Sequence, residues 1–301
     1  MWTLKVNKTF LLKMDFNSLF WGSLKESLNI ILIIFGLMIL VEILVLKYKE
    51  TIIKFIKNKS FLGYIVASLF GIIPGCVGTF AMDSLYMSGL LGFGGITATM
   101  IATSGDEAFL MISMAATGKI PVHIIIILTA ILFILGIIGG VIGDLFAKKS
   151  RMKFCEKCSI DYHKGEEFKF KHFIKEHIYN HIIKKHIWKI FLWVFAAIFA
   201  INILHGYVGS NLAISGVTKI YLLIIASVIA IVPISGPNIF LVVMFANGMV
   251  PFSVLLANSI IQDGHGLLPI LGFSVSDALK IKIFNFVFGF LIGLALLTIG
   301  L

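Results

Sequence analysis

The chain has 301 residues, of which 59% are hydrophobic and 13% charged, and its formal net charge is +10. Soluble domains contain about 25% charged residues, so this composition excludes an ordinary soluble protein. Apolar runs recur from Asn29 to the C-terminus, many of them near the ~20 residues that a membrane span needs. We therefore expect an all-α polytopic protein of the cell membrane, meaning the inner or plasma membrane.

The first 28 residues mix aromatic and leucine side chains with several lysines. This pattern is typical of an amphipathic segment on the membrane surface rather than of a cleaved signal peptide. After it, the apolar segments divide into two groups of five. They cover residues 29–46, 61–74, 79–91, 94–113 and 121–146, and then 189–205, 219–233, 238–249, 252–272 and 281–301.

The two groups are related by an internal repeat. A shift of 159 residues places ASLFGIIPG (67–75) on ASVIAIVPI (226–234) without a gap. In the same register Gly89 meets Gly248 and Gly105 meets Gly264. Because each repeat has an odd number of segments, the second repeat is predicted to be inverted in the membrane.

The basic residues predict the orientation. Five lysines lie between residues 47 and 59, and a long basic stretch fills 148–188. Since cytoplasmic loops are enriched in Lys and Arg, both stretches are expected on the cytoplasmic side. The predicted organisation is repeat 1 over 29–147, a cytoplasmic loop over 148–188 and repeat 2 over 189–301.

Several segments carry residues that break helices near the membrane midplane. Pro and Gly interrupt the helical hydrogen bonds, and such backbone survives in a membrane only inside protein or beside water. Matching interruptions in two repeats point to a transporter's substrate site. The predicted breaks are at Pro74, Gly75, Gly105, Pro233, Gly236, Pro237 and Gly264.

Acidic residues occur in two stretches, 60–118 and 220–279, that contain no Lys or Arg. Burying a charge at the bilayer centre costs at least ~2.5–3.5 kcal/mol. With no lysine or arginine expected nearby, the predicted partner is a cation. The candidate ligands are Asp83, Asp106, Glu107, Asp263 and His265, with Ser104, Cys76, Asn238, Asn258 and Gln262 as neutral donors.

In the repeat register Asp106 lies over His265, and Ser104 lies over Asp263. Carboxylates, amide oxygens and one imidazole suit Mn²⁺, with Zn²⁺, Fe²⁺ or Co²⁺ as other substrates; a lone Cys76 is weak support for a thiolate site. A structural interpretation stays open for two residues, because Asp83 could pair within the bundle and His265 could be an ordinary core histidine. No prosthetic group is expected.

The central loop contains the CxxC pair Cys155 and Cys158, followed by histidines that include His177 and His181, one helical turn apart. This pattern is compatible with an accessory metal site. Its spacing is not that of a regular zinc finger. A basic amphipathic segment on the cytoplasmic leaflet is the alternative.

The segments GIIPGCVGT, SGDE, SGPN and QDGHG resemble those of the ten-span heavy-metal exporters, whose members are labelled manganese transporters or arsenic efflux proteins. The resemblance covers about residues 60–145 and 189–301. It implies ten spans and metal efflux. By motif it assigns Asp106 and Glu107 from SGDE, and Asp263 and His265 from QDGHG, to the site.

Together these observations predict a secondary transporter that exports a divalent metal, with Mn²⁺ favoured. The chain contains no GxxxxGK[ST] motif for ATP. An arsenite or oxyanion carrier and an intramembrane metal-dependent enzyme are the alternatives, although HExxH and GxGD motifs are absent from the sequence. The expected partners are the metal, the lipid bilayer, a coupling proton or sodium ion and a second copy in a homodimer, but no nucleic acid.

Overall fold

The structure is a computed structural model, and it describes residues 16–56, 60–87, 89–149, 187–208, 216–233 and 235–300. Within these ranges the regular elements are helices, which confirms the predicted fold class. The first half contains α1 Phe16–Ile56, α2 Ser60–Gly71, α3 Val77–Met87, α4 Phe93–Ala102, α5 Glu107–Ala116 and α6 Val122–Lys149. The second half contains α7 Trp188–Val208, α8 Gly216–Ile229, α9 Gly236–Ala246, α10 Phe252–Ile261, α11 Leu268–Phe273 and α12 Val275–Ile299.

Three of the described helices contain an apolar stretch long enough to cross a bilayer, at Phe16–Leu40, Val122–Lys149 and Val275–Ile299. The shortest apolar helices, such as α4 and α10 with ten residues each, are too short to span alone. Large apolar side chains cover the outer faces of the long helices; Ile126 of α6 is 63% exposed and Leu291 of α12 is 57% exposed. Such surfaces are stable against lipid rather than water.

Helix boundaries in the two halves follow the register of the sequence. Helix α9 begins and ends 159 residues after α3, and α10 does the same after α4. The contacts are matched as well, because α4 packs on α2 and α6 as α10 packs on α8 and α12. Between the halves, α5 contacts α9 while α3 contacts α11. The inverted orientation of the repeats in the membrane stays a prediction.

Glycines bring the long last helix of each half close to the short broken helix. A Cβ atom on Gly140 of α6 would lie 2.7 Å from the Gly94 carbonyl oxygen, and one on Gly293 of α12 would lie 2.6 Å from the Ala257 Cβ. Small residues allow this close backbone approach in membranes. We call Gly136 and Gly140, with Gly289 and Gly293, the glycine contacts.

The glycine contacts also show that the repeat register changes near the end of each half. Gly140 packs on Ala98, and Gly293 packs on the equivalent residue Ala257. The offset between α6 and α12 is therefore 153 residues rather than 159. Helix α11 has 6 residues where α5 has 10, so the shortening falls before the last helix.

Two predicted boundaries differ from the structure. Helix α1 begins at Phe16 and runs for 41 residues, so residues 16–28 are part of this helix rather than a separate surface segment. Ser23 and Ser27 are fully buried there. The lysine-rich stretch predicted as a loop from residue 47 is helical to Ile56, because strong helix formers such as Lys, Glu and Leu continue beyond the apolar run.

Candidate metal site

Two interrupted helices form the centre of the molecule. Residues 103–106 separate α4 from α5, and residues 262–267 separate α10 from α11. Gly105 and Gly264 both adopt left-handed backbone conformations, with φ of +51° and +52°, which a residue with a Cβ adopts only with strain. Both glycines therefore lie at interruptions of the helical backbone.

The two interruptions meet each other. A Cβ atom on Gly105 would lie 3.9 Å from the Gly264 Cα, and the reverse distance is also 3.9 Å. The Gln262 side-chain amide donates to the Thr103 carbonyl oxygen at 3.4 Å, and these two residues are equivalent in the repeat register. We refer to the place where these equivalent residues meet as the axis.

A cluster of potential metal ligands lies at this axis. Cys76, Asp106 and His265 each offer one ligand atom, and the three atoms lie within 4.8 Å of one another. Cys76 and Asp106 are buried, whereas the His265 side chain is 20% exposed. We call these three residues the axial cluster.

Ser235 completes the polar surroundings of the axial cluster. Its hydroxyl donates to Asp106 Oδ2 at 3.2 Å and lies 3.4 Å from His265 Nδ1. His265 Nδ1 lies 3.5 Å from the same carboxylate oxygen. In the register Asp106 is equivalent to His265, and Cys76 is equivalent to Ser235. The axial cluster and Ser235 thus form two equivalent pairs with different side chains.

The local sequence explains how Cys76 reaches this place. Pro74 and Gly75 end the turn after α2, and Gly75, with φ of +86°, donates its backbone N–H to the Gly105 carbonyl oxygen at 2.9 Å. This hydrogen bond ties the Cys76 turn to the SGDE loop. The matching turn in the second half leads into α9, which has Pro237 in its first turn, a position where the missing N–H costs nothing.

A thiol, an imidazole and a carboxylate form a mixed S, N, O donor set. Such a set suits Zn²⁺ and neighbouring transition metals better than Mg²⁺ or Ca²⁺. Ligand atoms around one such ion stand ~3–4 Å apart, as follows from bond lengths of ~2.0–2.3 Å. The axial cluster needs only small side-chain movements to reach that spacing.

One comparison with known proteins gives a match that spans most of the chain. The family described as "Putative, 10TM heavy-metal exporter" matches residues 30–201 and 181–299. The chain belongs to this family. No curated protein and no solved structure matches it significantly.

The family membership has direct consequences. As a member of this exporter family, the chain is an integral multi-pass membrane protein rather than an enzyme, and the family description implies a metal ion as substrate. The predicted fold class and family resemblance are confirmed. The metal, the ligands and the coupling ion are not given by the family match.

Asp263 does not face the axial cluster as an unpaired acid. Lys282 of α12 lies 2.6 Å from Asp263 Oδ2, and the Asn285 side-chain amide donates to Oδ1 at 2.9 Å. The expectation that no lysine lies near the buried acids is therefore wrong. Lys282 lies just outside the lysine-free stretch, and the packing of α12 against α10 carries its side chain back to the break.

Asp83 and Glu107 are fully buried carboxylates. Among the described residues, neither has a hydrogen-bond partner on either oxygen. Glu107 opens α5 directly after Asp106. Because a buried unpaired carboxylate is costly, Glu107 is a further candidate ligand beside the axial cluster. The role of both residues as ligands stays a prediction.

The predicted amide ligands are divided between two places. The Asn258 amide donates to Asn238 Oδ1 at 2.9 Å and to the Ala226 carbonyl oxygen at 3.2 Å, so this pair joins α8, α9 and α10. Gln262 lies at the axis, as described above. Ser104 is buried in the loop after α4, and its carbonyl oxygen accepts from the Glu107 N–H at 3.2 Å.

The predicted accessory metal site in the central loop cannot be compared with the structure. Cys155, Cys158, His177 and His181 lie outside the described residues. Sequence reasoning also undervalued Cys76 and did not find Ser235. The repeat register could have found both, since it pairs residue 76 with residue 235 in the two helix-breaking turns.

Proposed function

We propose that this exporter family member moves a divalent transition metal ion through the axial cluster, with Cys76, Asp106 and His265 as ligands and Glu107 beside them. One observation carries this proposal: three side chains able to ligate a metal, drawn from both halves, converge within 4.8 Å at the point where the two broken helices meet. A site shared by both halves can open to either side when the halves move relative to each other.

Zn²⁺ is the leading substrate, because Cys76 and His265 are ligands that Mn²⁺ seldom prefers. Mn²⁺, which the sequence favoured, is the second candidate, and the adjacent carboxylates of Asp106 and Glu107 support it. Fe²⁺ and Co²⁺ lie between these two in preference. Arsenite would bind through sulfur, and the axial cluster offers a single thiol.

Transport is driven by an ion gradient in this proposal. The chain contains no GxxxxGK[ST] motif, and binding of a metal to an acidic cluster is readily opposed by protons. A proton is therefore the proposed coupling ion, with Na⁺ as the alternative. In this proposal the central basic loop lies in the cytoplasm, and the protein moves the metal out of the cell.

Metal flux into proteoliposomes tests the proposal. Zn²⁺, Mn²⁺ and arsenite are offered separately to wild type, Cys76→Ser and Asp106→Asn. We expect Asp106→Asn to reduce metal flux by ~100-fold or more, because losing even an outer partner of a metal ligand costs 10–100-fold. Cys76→Ser is expected to reduce Zn²⁺ flux more than Mn²⁺ flux.

Glu26→Gln is the matched control for the loss of a carboxylate. Glu26 forms a partly exposed ion pair with Lys119 at 2.7 Å, away from the axial cluster, and this variant should transport as wild type does. Undiminished flux in Asp106→Asn would overturn the site. Arsenite flux without flux of either cation would overturn the substrate class.

A further inference from the structure

Lys282 is a buried lysine whose donors are fully used. Its ammonium donates to the Ala230 carbonyl oxygen at 3.0 Å, to the Ile261 carbonyl oxygen at 2.9 Å and to Asp263 Oδ2 at 2.6 Å. A lysine has three N–H donors and no acceptor, so each of the three has one partner. The residue is 6% exposed.

The partners of Lys282 resemble the oxygen ligands of a small free cation. Ala230 directly follows the last residue of α8, and Ile261 is the last residue of α10. Carbonyl oxygens at helix C-termini carry partial negative charge, and in broken-helix transporters such ends bind coupling cations. Asp263 adds a full negative charge at the same point.

Asn285 holds the Asp263 carboxylate in position. Its amide donates to Asp263 Oδ1 at 2.9 Å, while Asp263 Oδ2 accepts from the Lys282 ammonium. One ammonium therefore meets one carboxylate and the carbonyl oxygens of two helix ends, which are the ligands that a monovalent cation takes in a broken-helix transporter.

Among the described residues of the first half, the equivalent positions do not form such an arrangement. The residues equivalent to Ala230, Ile261 and Asp263 are Gly71, Ala102 and Ser104, and the α6 residue equivalent to Lys282 is Thr129. The first half thus places a neutral hydroxyl where the second half has a carboxylate. The ion pair of Lys282 with Asp263 is therefore specific to the second half, and the packing that the two halves share does not require it.

We infer that Lys282 is a tethered cation that fills a monovalent-cation site formed by Asp263 and the C-terminal ends of α8 and α10. The ammonium joins both helix ends to the loop that presents His265. A free Na⁺ ion or a small alkylammonium ion is the chemical equivalent of this side chain. The second half consequently needs no free cation at this point.

Thermal unfolding of the purified protein in detergent tests this inference without any transition metal, so its outcome is independent of the proposed function. Lys282→Ala opens the site and is compared in choline, Na⁺ and methylammonium buffers. Because removal of one partner of a buried pair is strongly destabilising, we expect Tm in choline to fall by ~5–10 °C. Na⁺ or methylammonium at ~100 mM should restore at least half of that loss.

Two variants separate cation binding from general stabilisation. Lys282→Met fills the space without charge, and its Tm should be the same in all three buffers. The double variant Lys282→Ala with Asp263→Ser copies the neutral first half and should also be indifferent to the cation. Wild type should shift by less than ~1 °C, since its site is occupied.

Three results would overturn the inference. The first is a Lys282→Ala protein as stable in choline as wild type. The second is an equal response of Lys282→Ala and Lys282→Met to Na⁺ and methylammonium. The third is a Lys282→Ala protein that remains unfolded in every cation while the double variant folds, because a free cation then cannot replace the ammonium.

Discussion

The two helix interruptions, residues 103–106 and 262–267, share a backbone design but differ in charge. Each follows a helix of ten residues and contains one left-handed glycine. The first presents Asp106 and Glu107. The second presents His265, and its only carboxylate, Asp263, is held by Lys282. The first half therefore supplies the negative charge of the axial cluster, and the second supplies a neutral donor.

This difference shows how a duplicated scaffold can hold one metal ion. Two identical acidic loops at the axis would place four carboxylates around a single divalent cation, with strong repulsion when it is absent. Two neutral loops would bind a cation weakly. One acidic loop and one neutral loop give a site whose negative charge is close in magnitude to the positive charge of its substrate.

The largest effect is expected when the unequal pair at the axis is altered. Asp106→His and His265→Asp, each alone, leave two imidazoles or two carboxylates and should reduce metal flux by ~100-fold or more. The double swap restores one of each at equivalent positions, and flux should recover at least ~10-fold from either single variant. Metal uptake into proteoliposomes measures all three.

Failure of the swap would be informative. If the double variant transports no better than the singles, the two positions are not interchangeable and the axis is not the centre of the metal site. Ser235→Ala provides a control for disturbance of the same surroundings, because it removes a hydroxyl near both residues without changing the donor set.

A separate effect, on stability rather than on flux, is expected when the second loop is made like the first. Asp263→Ser leaves the Lys282 ammonium buried without a charged partner, which should cost about 3–5 kcal/mol. The equivalent change in the first loop, Ser104→Ala, removes only a neutral hydroxyl and should cost about 1 kcal/mol or less. Chemical or thermal unfolding of both variants in the same detergent compares them, and equal losses would contradict the difference in charge.

The smallest effects are expected at the glycine contacts, which the two halves share. Gly140→Ala and Gly293→Ala place a methyl group against the neighbouring helix and should each cost about 1–3 kcal/mol. Gly36→Ala is the matched control, because nothing lies within 4 Å of its added Cβ, and it should be neutral or slightly stabilising. Thermal or chemical unfolding measures the stability of all three variants. If only one of Gly140→Ala and Gly293→Ala lost stability, the two halves would not share this packing.

The sequence predicted the scaffold better than it predicted the contacts. Periodic apolar segments and the 159-residue register indicated the helices and their breaks, because Pro and Gly act locally on the backbone. The pairing of Asp106 with His265 followed from the same register. The limits of α1 were missed, since hydropathy alone does not show where a helix made of good helix formers begins or ends.

Lys282 was missed for a different reason. From the sequence, Lys282 is interpreted as one of the lysines that flank the last span. Its long side chain instead reaches back to Asp263 inside the bundle. One signal was available: Lys282 and Asn285 are polar residues three apart within the otherwise apolar stretch 281–297, and such residues share a face. Partners of that face depend on helix packing, which a single sequence does not give.

The glycine contacts set a mechanical condition on any conformational change. Helices that touch through backbone atoms interlock, so α6 cannot slide along α4, nor α12 along α10, without a collision. We therefore expect each of these helix pairs to move as one rigid body. The displacement that carries a metal ion past the axis then has to come from movement of one pair against the other, where α4 meets α10 and α12.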